Sequence, residues 1–87
     1  MRLGNARDLG LYVRDQRRAA RLNQTDLAAK AGVSRRWLSD LEAGKPTIEV
    51  GLVFHVISAL GLYFDVQPEP DTDFDLDTYL DSFGGAP

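Results

Sequence analysis

The 87-residue sequence contains no cysteine. That excludes a disulfide framework, a thiolate metal site and a cysteine nucleophile. Histidine occurs once, as His55, which leaves no second imidazole for a zinc site. No lysine or arginine follows Lys45. Long apolar runs are missing as well. The longest, Val50 to Phe64, is broken by His55 and Ser58 and is shorter than the roughly 20 residues that span a bilayer. The opening MRLGNARDLG lacks the apolar stretch of a secretory leader. These absences predict a cytoplasmic protein with no metal, no cofactor and no membrane partner. A chain this short holds one domain with a small core, and domains of this size commonly gain stability by pairing with a second copy.

Charge is unevenly placed. A net charge of −3 argues at first against a nucleic-acid partner. Yet all ten bases lie in residues 1–45 against five acids, a local net of +5, whereas residues 46–87 hold eight acids and no base, a net of −8. Such a division suggests a basic binding domain with an acidic appendage. The alternative, uneven surface decoration, is disfavoured because the basic half coincides with a two-helix pattern ending at Lys45.

Residues Asn23 to Lys45, NQTDLAAKAGVSRRWLSDLEAGK, read as two short helices joined by a tight turn. Asn23 is a good N-cap, and Asp26 can reach back to its backbone N–H as a short capping box. Leu27, Ala28 and Ala31 form one apolar stripe. Gly32 ends the first helix. Ser34 caps a second, Arg35 to Glu42, with Leu38 and Leu41 inward, and Gly44 stops it. A small residue and a glycine, Ala28 and Gly32, would let the helices cross closely, with Leu38 plugging the crossing. This is the geometry of a helix-turn-helix, whose second helix enters the DNA major groove.

The stretch resembles the helix-turn-helix of the phage-repressor (Cro/C1, or XRE) family. Gln24, Leu27, Ala28, Gly32, Val33, Ser34, Leu38, Glu42, Gly44 and Lys45 carry the resemblance. With the following PTIEVGLVFHVISALGLYFDV, residues 9 to 67 look more narrowly like the HipB-type antitoxins. The expected fold is therefore all-α: a phage-repressor-like bundle of four to five helices, plus one short C-terminal β-strand that pairs across a homodimer. Residues 1–61 would be the DNA-binding domain, 62–67 the dimerisation strand and 68–87 an acidic tail.

The first helix is predicted from Ala6 or Asp8 to Arg21, with Leu9, Val13 and Ala20 inward. Arg14, Arg18 and Arg21 lie on other faces, open to DNA backbone; Arg2 and Arg7 could touch phosphate or fray in solvent. Arg17 falls on the inward stripe, where a guanidinium needs an anionic partner. Glu42 is the candidate, and the resemblance implies an Arg–Glu pair at these positions. The pair would orient helices rather than add much net stability; the alternative is two solvated charges.

The same motif nominates the DNA contacts. Gln24 and Thr25 open a helix whose N-terminus can bind phosphate, although Gln is also simply a good helix former. Ser34, Arg35, Arg36 and Ser39 occupy the positions of the second helix that reach base edges. Arginine can pair bidentately with guanine, or Arg35 and Arg36 can bind phosphate alone. Trp37 can pack at the rim of the core, the favoured role, or donate its indole N–H to phosphate. Lys45 can reach phosphate or remain a solvated loop lysine.

After a Pro46-Thr47 loop, a helix from Glu49 to Leu60 carries Val50, Val53, Phe54, Ile57 and Leu60 on one face, widened by Leu52 and Val56. That is more apolar surface than three short helices cover, which suggests a subunit contact. His55 is assigned no role. Leu62, Tyr63, Phe64, Asp65 and Val66 alternate as a strand does. A lone strand must find a partner for its backbone groups, either a second copy across a two-fold axis or its own helices. Two copies would present two recognition helices to half-sites about 34 Å apart, which means an inverted-repeat operator.

From Pro68 onward the composition turns acidic. Phe74, Leu76, Tyr79, Leu80 and Phe83 are spaced as an amphipathic segment that could fold on a partner. The resemblance implies that the partner is a HipA-like toxin kinase. A solubilising tail, and a tail folding back on the basic face, are the other readings. No phosphate-cradling glycine loop and no oriented nucleophile occurs, so no catalytic residue is assigned. The sequence as a whole predicts a repressor and antitoxin; the alternative is a stand-alone regulator.

Overall fold

The computed structural model describes residues 2–69. The tail residues Phe74, Leu76, Tyr79, Leu80 and Phe83 lie outside them. The described residues form four helices: α1 (Ala6–Ala19), α2 (Gln24–Ala31), α3 (Arg35–Glu42) and α4 (Val50–Ala59). α1 packs on α3, and α2 packs on both α3 and α4.

Three of the four helices start on a side-chain cap. Asn5 accepts the backbone N–H of Asp8 at 2.9 Å, Asn23 that of Asp26 at 2.7 Å, and Ser34 that of Trp37 at 3.0 Å. Each satisfies one of the donors left over at a helix start. Only the forward half of the expected Asn23–Asp26 box forms. At α1 the return bond does exist, but Asp8 accepts from Gly4 N–H, 3.0 Å away, rather than from the cap residue.

All four helices close on the same left-handed turn, in which the residue after the turn bonds back across the last helical turn. Its N–H donors are Leu22, Val33, Lys45 and Leu62, reaching the carbonyls of Arg17, Ala28, Asp40 and Ile57. This corrects the predicted end of α1. The helix stops at Ala19, Ala20 is exposed, and Leu22 takes the inward place expected for Ala20.

Val13, Leu27, Ala28, Ala31, Leu38, Leu41, Val53, Val56 and Ile57 make the core, with Val13, Leu27, Leu38 and Val56 fully buried. Trp37, Leu62 and Phe64 pack against it, half-buried. α4 has apolar surface to spare: Val50 and Phe54 remain 68% and 54% exposed.

Among the described residues there is no strand. Residues 62–67, expected as one, are irregular backbone. The expected alternation holds only in part: Leu62 and Phe64 turn inward and Tyr63 and Asp65 turn out, but Val66, due to face inward, is 92% exposed. Phe64 meets Phe54 edge-to-face, ring centres 5.2 Å apart. A strand needs a ladder partner, and every other described element that this segment packs on is a helix.

Of the two roles expected of Gly32, the helix stop is present and the close crossing is not. Gly32 has open space where a Cβ would stand, so it does not permit a close helix crossing; its φ of +72° is what the turn needs. The close approach is elsewhere. A Cβ on Gly10 would lie 2.4 Å from the Leu41 carbonyl oxygen and 2.8 Å from that of Glu42. α1 thus rests directly on the C-terminal backbone of α3.

Candidate nucleic-acid interface

The aim of α3 is set from behind by one buried ion pair. Arg17 Nε donates to Glu42 Oε2 at 2.7 Å and Nη2 to Oε1 at 2.9 Å, a bidentate pair joining α1 to α3. Both residues are below one-tenth exposed. The third arm, Nη1, donates to the Leu22 carbonyl at 3.0 Å, fixing the entrance to α2. The hydrogen bond to Glu42, opposed by desolvation and aided by charge attraction, holds the guanidinium still more firmly protonated than an ordinary arginine. The pair expected between Arg17 and Glu42 is therefore present.

Gln24 joins this network. Its Nε2 donates to Glu42 Oε1 at 3.2 Å. The amide spans from the first residue of α2 to the last of α3, and a primary amide keeps one further N–H and its carbonyl oxygen for an external group. Thr25 beside it is exposed.

On the opposite side of α3, Ser34, Arg35, Arg36 and Ser39 are all exposed. Ser34 is committed as an acceptor to Trp37 N–H but keeps its hydroxyl proton. The Trp37 ring packs against the core, as the favoured reading had it. Lys45 Nζ lies 3.8 Å from Asp40, a loose surface contact with the lysine half exposed.

One electrostatic feature of α3 went unremarked at the level of sequence. Its first turn holds two arginines and no acid. A helix N-terminus carries partial positive charge, so each cation there is unfavourable by about 0.3–1 kcal/mol. An anion bound over that turn would reverse the sign. Gly10 was missed as well, although a glycine inside the amphipathic α1 pattern is the local signal of a close approach.

Residues 8–66 match the family described as a helix-turn-helix domain. The chain belongs to that family. It is a DNA-binding transcriptional regulator and not an enzyme. The regulator is 43% identical over 65 residues to the uncharacterized HTH-type transcriptional regulator y4mF of Sinorhizobium fredii (strain NBRC 101917 / NGR234), a match covering 75% of this chain and 86% of that protein. Its fold is that of chains in two solved assemblies, a HipA-HipB-O2-O3 complex and a HipB-O4 20mer complex. Each superposes with a TM-score of 0.73 at 18% identity, over 78% of this chain and 96% of the other. No helix among the described residues is long and apolar enough to cross a membrane.

Proposed function

We propose that this regulator is a homodimeric repressor that reads an inverted-repeat operator through α3 and serves as the antitoxin of a HipBA-like pair. The observation that carries the readout is the outer face of α3, where Ser34, Arg35, Arg36 and Ser39 are exposed while Glu42 is clamped from behind by Arg17. Arg35 or Arg36 reads guanine; Gln24, Thr25 and Lys45 hold phosphate. Counterion release supplies affinity and base edges supply sequence.

Dimerisation is supported by apolar surface that one copy leaves uncovered. Val50, Phe54, Tyr63 and Val66 are 54–92% exposed. Pairing Leu62 to Val66 with the same segment of a second copy would give that backbone its ladder. Val50→Glu, harmless on the surface of a single copy, is expected to shift sedimentation toward monomer. An unchanged dimer would remove α4 from the interface.

The base contacts have a direct test. Arg35→Ala or Arg36→Ala should relax preference at one base pair, worth about 1–3 kcal/mol of discrimination, in a selection from randomised duplexes. If both variants weaken all sequences alike, the two arginines bind phosphate only.

The antitoxin half draws on the likeness in fold to the HipB complexes and on the acidic segment 68–87. Co-purification of the tagged protein from its host tests it. Recovery of a kinase together with the protein's own promoter supports it. Recovery of promoter DNA alone leaves a stand-alone regulator, the reading favoured by the description of the Sinorhizobium relative.

A further inference from the structure

The four closing turns differ at one place. Gly32, Gly44 and Gly61 occupy the left-handed position after α2, α3 and α4, with φ of 72°, 83° and 74°. After α1 the same position is Arg21, φ 58°, and among the described residues it is the one non-glycine with positive φ. An L-residue there crowds its Cβ against the backbone, and arginine has none of the local hydrogen bonding that lets asparagine tolerate it.

The strain cannot relax sideways. Arg21 N–H is bonded to the Arg18 carbonyl at 2.9 Å and Leu22 N–H to that of Arg17 at 3.1 Å. The Leu22 carbonyl is held in turn by Arg17 Nη1. The side chain, by contrast, is exposed. None of the ion pairs among the described residues involves Arg21, or Arg14 and Arg18 one turn apart on α1. A cation is favourable at the C-terminus of α1, but Arg17 and Arg18 already stand in its last turn, so the dipole does not require arginine at the turn itself.

Arg21 leads directly into the start of α2. Asn23 caps that helix and takes the Asp26 N–H, which leaves the N–H groups of Gln24 and Thr25 for an outside acceptor. The first helix of a helix-turn-helix crosses the DNA backbone. We propose that Arg21 is a phosphate anchor. Its left-handed backbone directs the side chain outward at the entrance to α2, within reach of the strand that α2 would cross, and glycine is excluded from this one closing turn by that duty, at the expense of fold stability. This rests on the proposed docking of α3 to DNA and adds a contact that lies outside the recognition helix.

The test pairs thermal melting with a salt titration of binding to a short mixed-sequence DNA duplex. The proteins are the full chain, Arg21→Gly and Arg21→Lys. Arg21→Gly is expected to melt about 4–8 °C higher, the shift of a small domain relieved of one such strain. Its slope of log K against log salt should be shallower by about 0.9, one phosphate lost. Arg21→Lys should keep the slope and the lower melting point. Unchanged binding and slope in Arg21→Gly would overturn the anchor while leaving the docking reading intact. An unraised melting point would overturn the claim that stability is given up. Loss of slope in Arg21→Lys would show that charge is not what the position supplies. Failure of the full chain to bind duplex at all would remove the docking reading and the anchor together.

Discussion

Glu42→Gln is expected to destabilise the protein by about 3–5 kcal/mol, the cost of leaving a buried guanidinium without its counter-charge. The loss is large because Glu42 serves three elements. It accepts two bonds from Arg17 on α1 and one from Gln24 on α2, while standing at the end of α3. An amide in its place keeps the shape and at most one acceptor, so one arginine N–H stays buried and unpaired. For a domain of this size the melting point should fall by more than about 10 °C. The companion variant decides the mechanism. Replacing both members, as Arg17→Met with Glu42→Leu, should recover most of the loss, because apolar packing of similar volume does not need the pair. If the double variant is as unstable as the single, the network acts through geometry and not through uncompensated charge.

Gly10→Ala should be comparably severe, about 3 kcal/mol or more. The added methyl would sit within van der Waals contact distance of two carbonyl oxygens, those of Leu41 and Glu42, and backbone cannot swing away as a flexible side chain does. α1 must lift off α3, which also lengthens the Arg17–Glu42 bonds. Gly51→Ala is the control. Gly51 lies in α4 with nothing within 4 Å of where a Cβ would be, so the same chemical change should stabilise by about 0.5–1 kcal/mol through helix propensity alone. Urea denaturation of the two variants side by side checks both signs. Equal, small effects would mean that the α1–α3 approach is looser than 2.4 Å implies.

These two residues also mark what could be read from the chain and what could not. Arg17 was legible because a charge at an inward position of the α1 stripe demands an opposite charge, and Glu42 lay at the end of the next packed helix. The caps at Asn23 and Ser34 and the stops at Gly32 and Gly44 were legible because each is a local demand of backbone geometry. Gly10 carried a local signal, a glycine inside a helical pattern, but not its reason, which lies 31 residues away in the carbonyl of Leu41 and next to it in that of Glu42. Gly32 was read both as a stop and as a spacer between helices; the stop holds and the spacer does not, since its neighbourhood is empty and only its φ matters. The alternation described the side-chain faces of residues 62–65 and failed at Val66, which is exposed; a strand is moreover a relation between two segments, and one copy supplies a single segment. The exposed face of α3 was legible as a candidate because its positions follow from the motif. The bond from Gln24 to Glu42 was not, since a primary amide at a helix start has many partners to choose from.

The seam between α1 and α3 separates two jobs within an eight-residue helix. Its later part, Leu41 and Glu42, is pinned by Gly10 and Arg17, while its earlier part presents Arg35, Arg36 and Ser39 to solvent. Substitutions at those three positions therefore change the scaffold's folding free energy by no more than about 1 kcal/mol, and losing either arginine changes it in the favourable direction. Where those side chains read the operator as proposed, lineages descending from such a chain can wander through operator sequences by exchanging a few of them, one at a time, without passing through an unfolded ancestor. The pinned part has no such liberty, and two descendants with unrelated operators should still share a glycine and an arginine on α1 and a glutamate on α3.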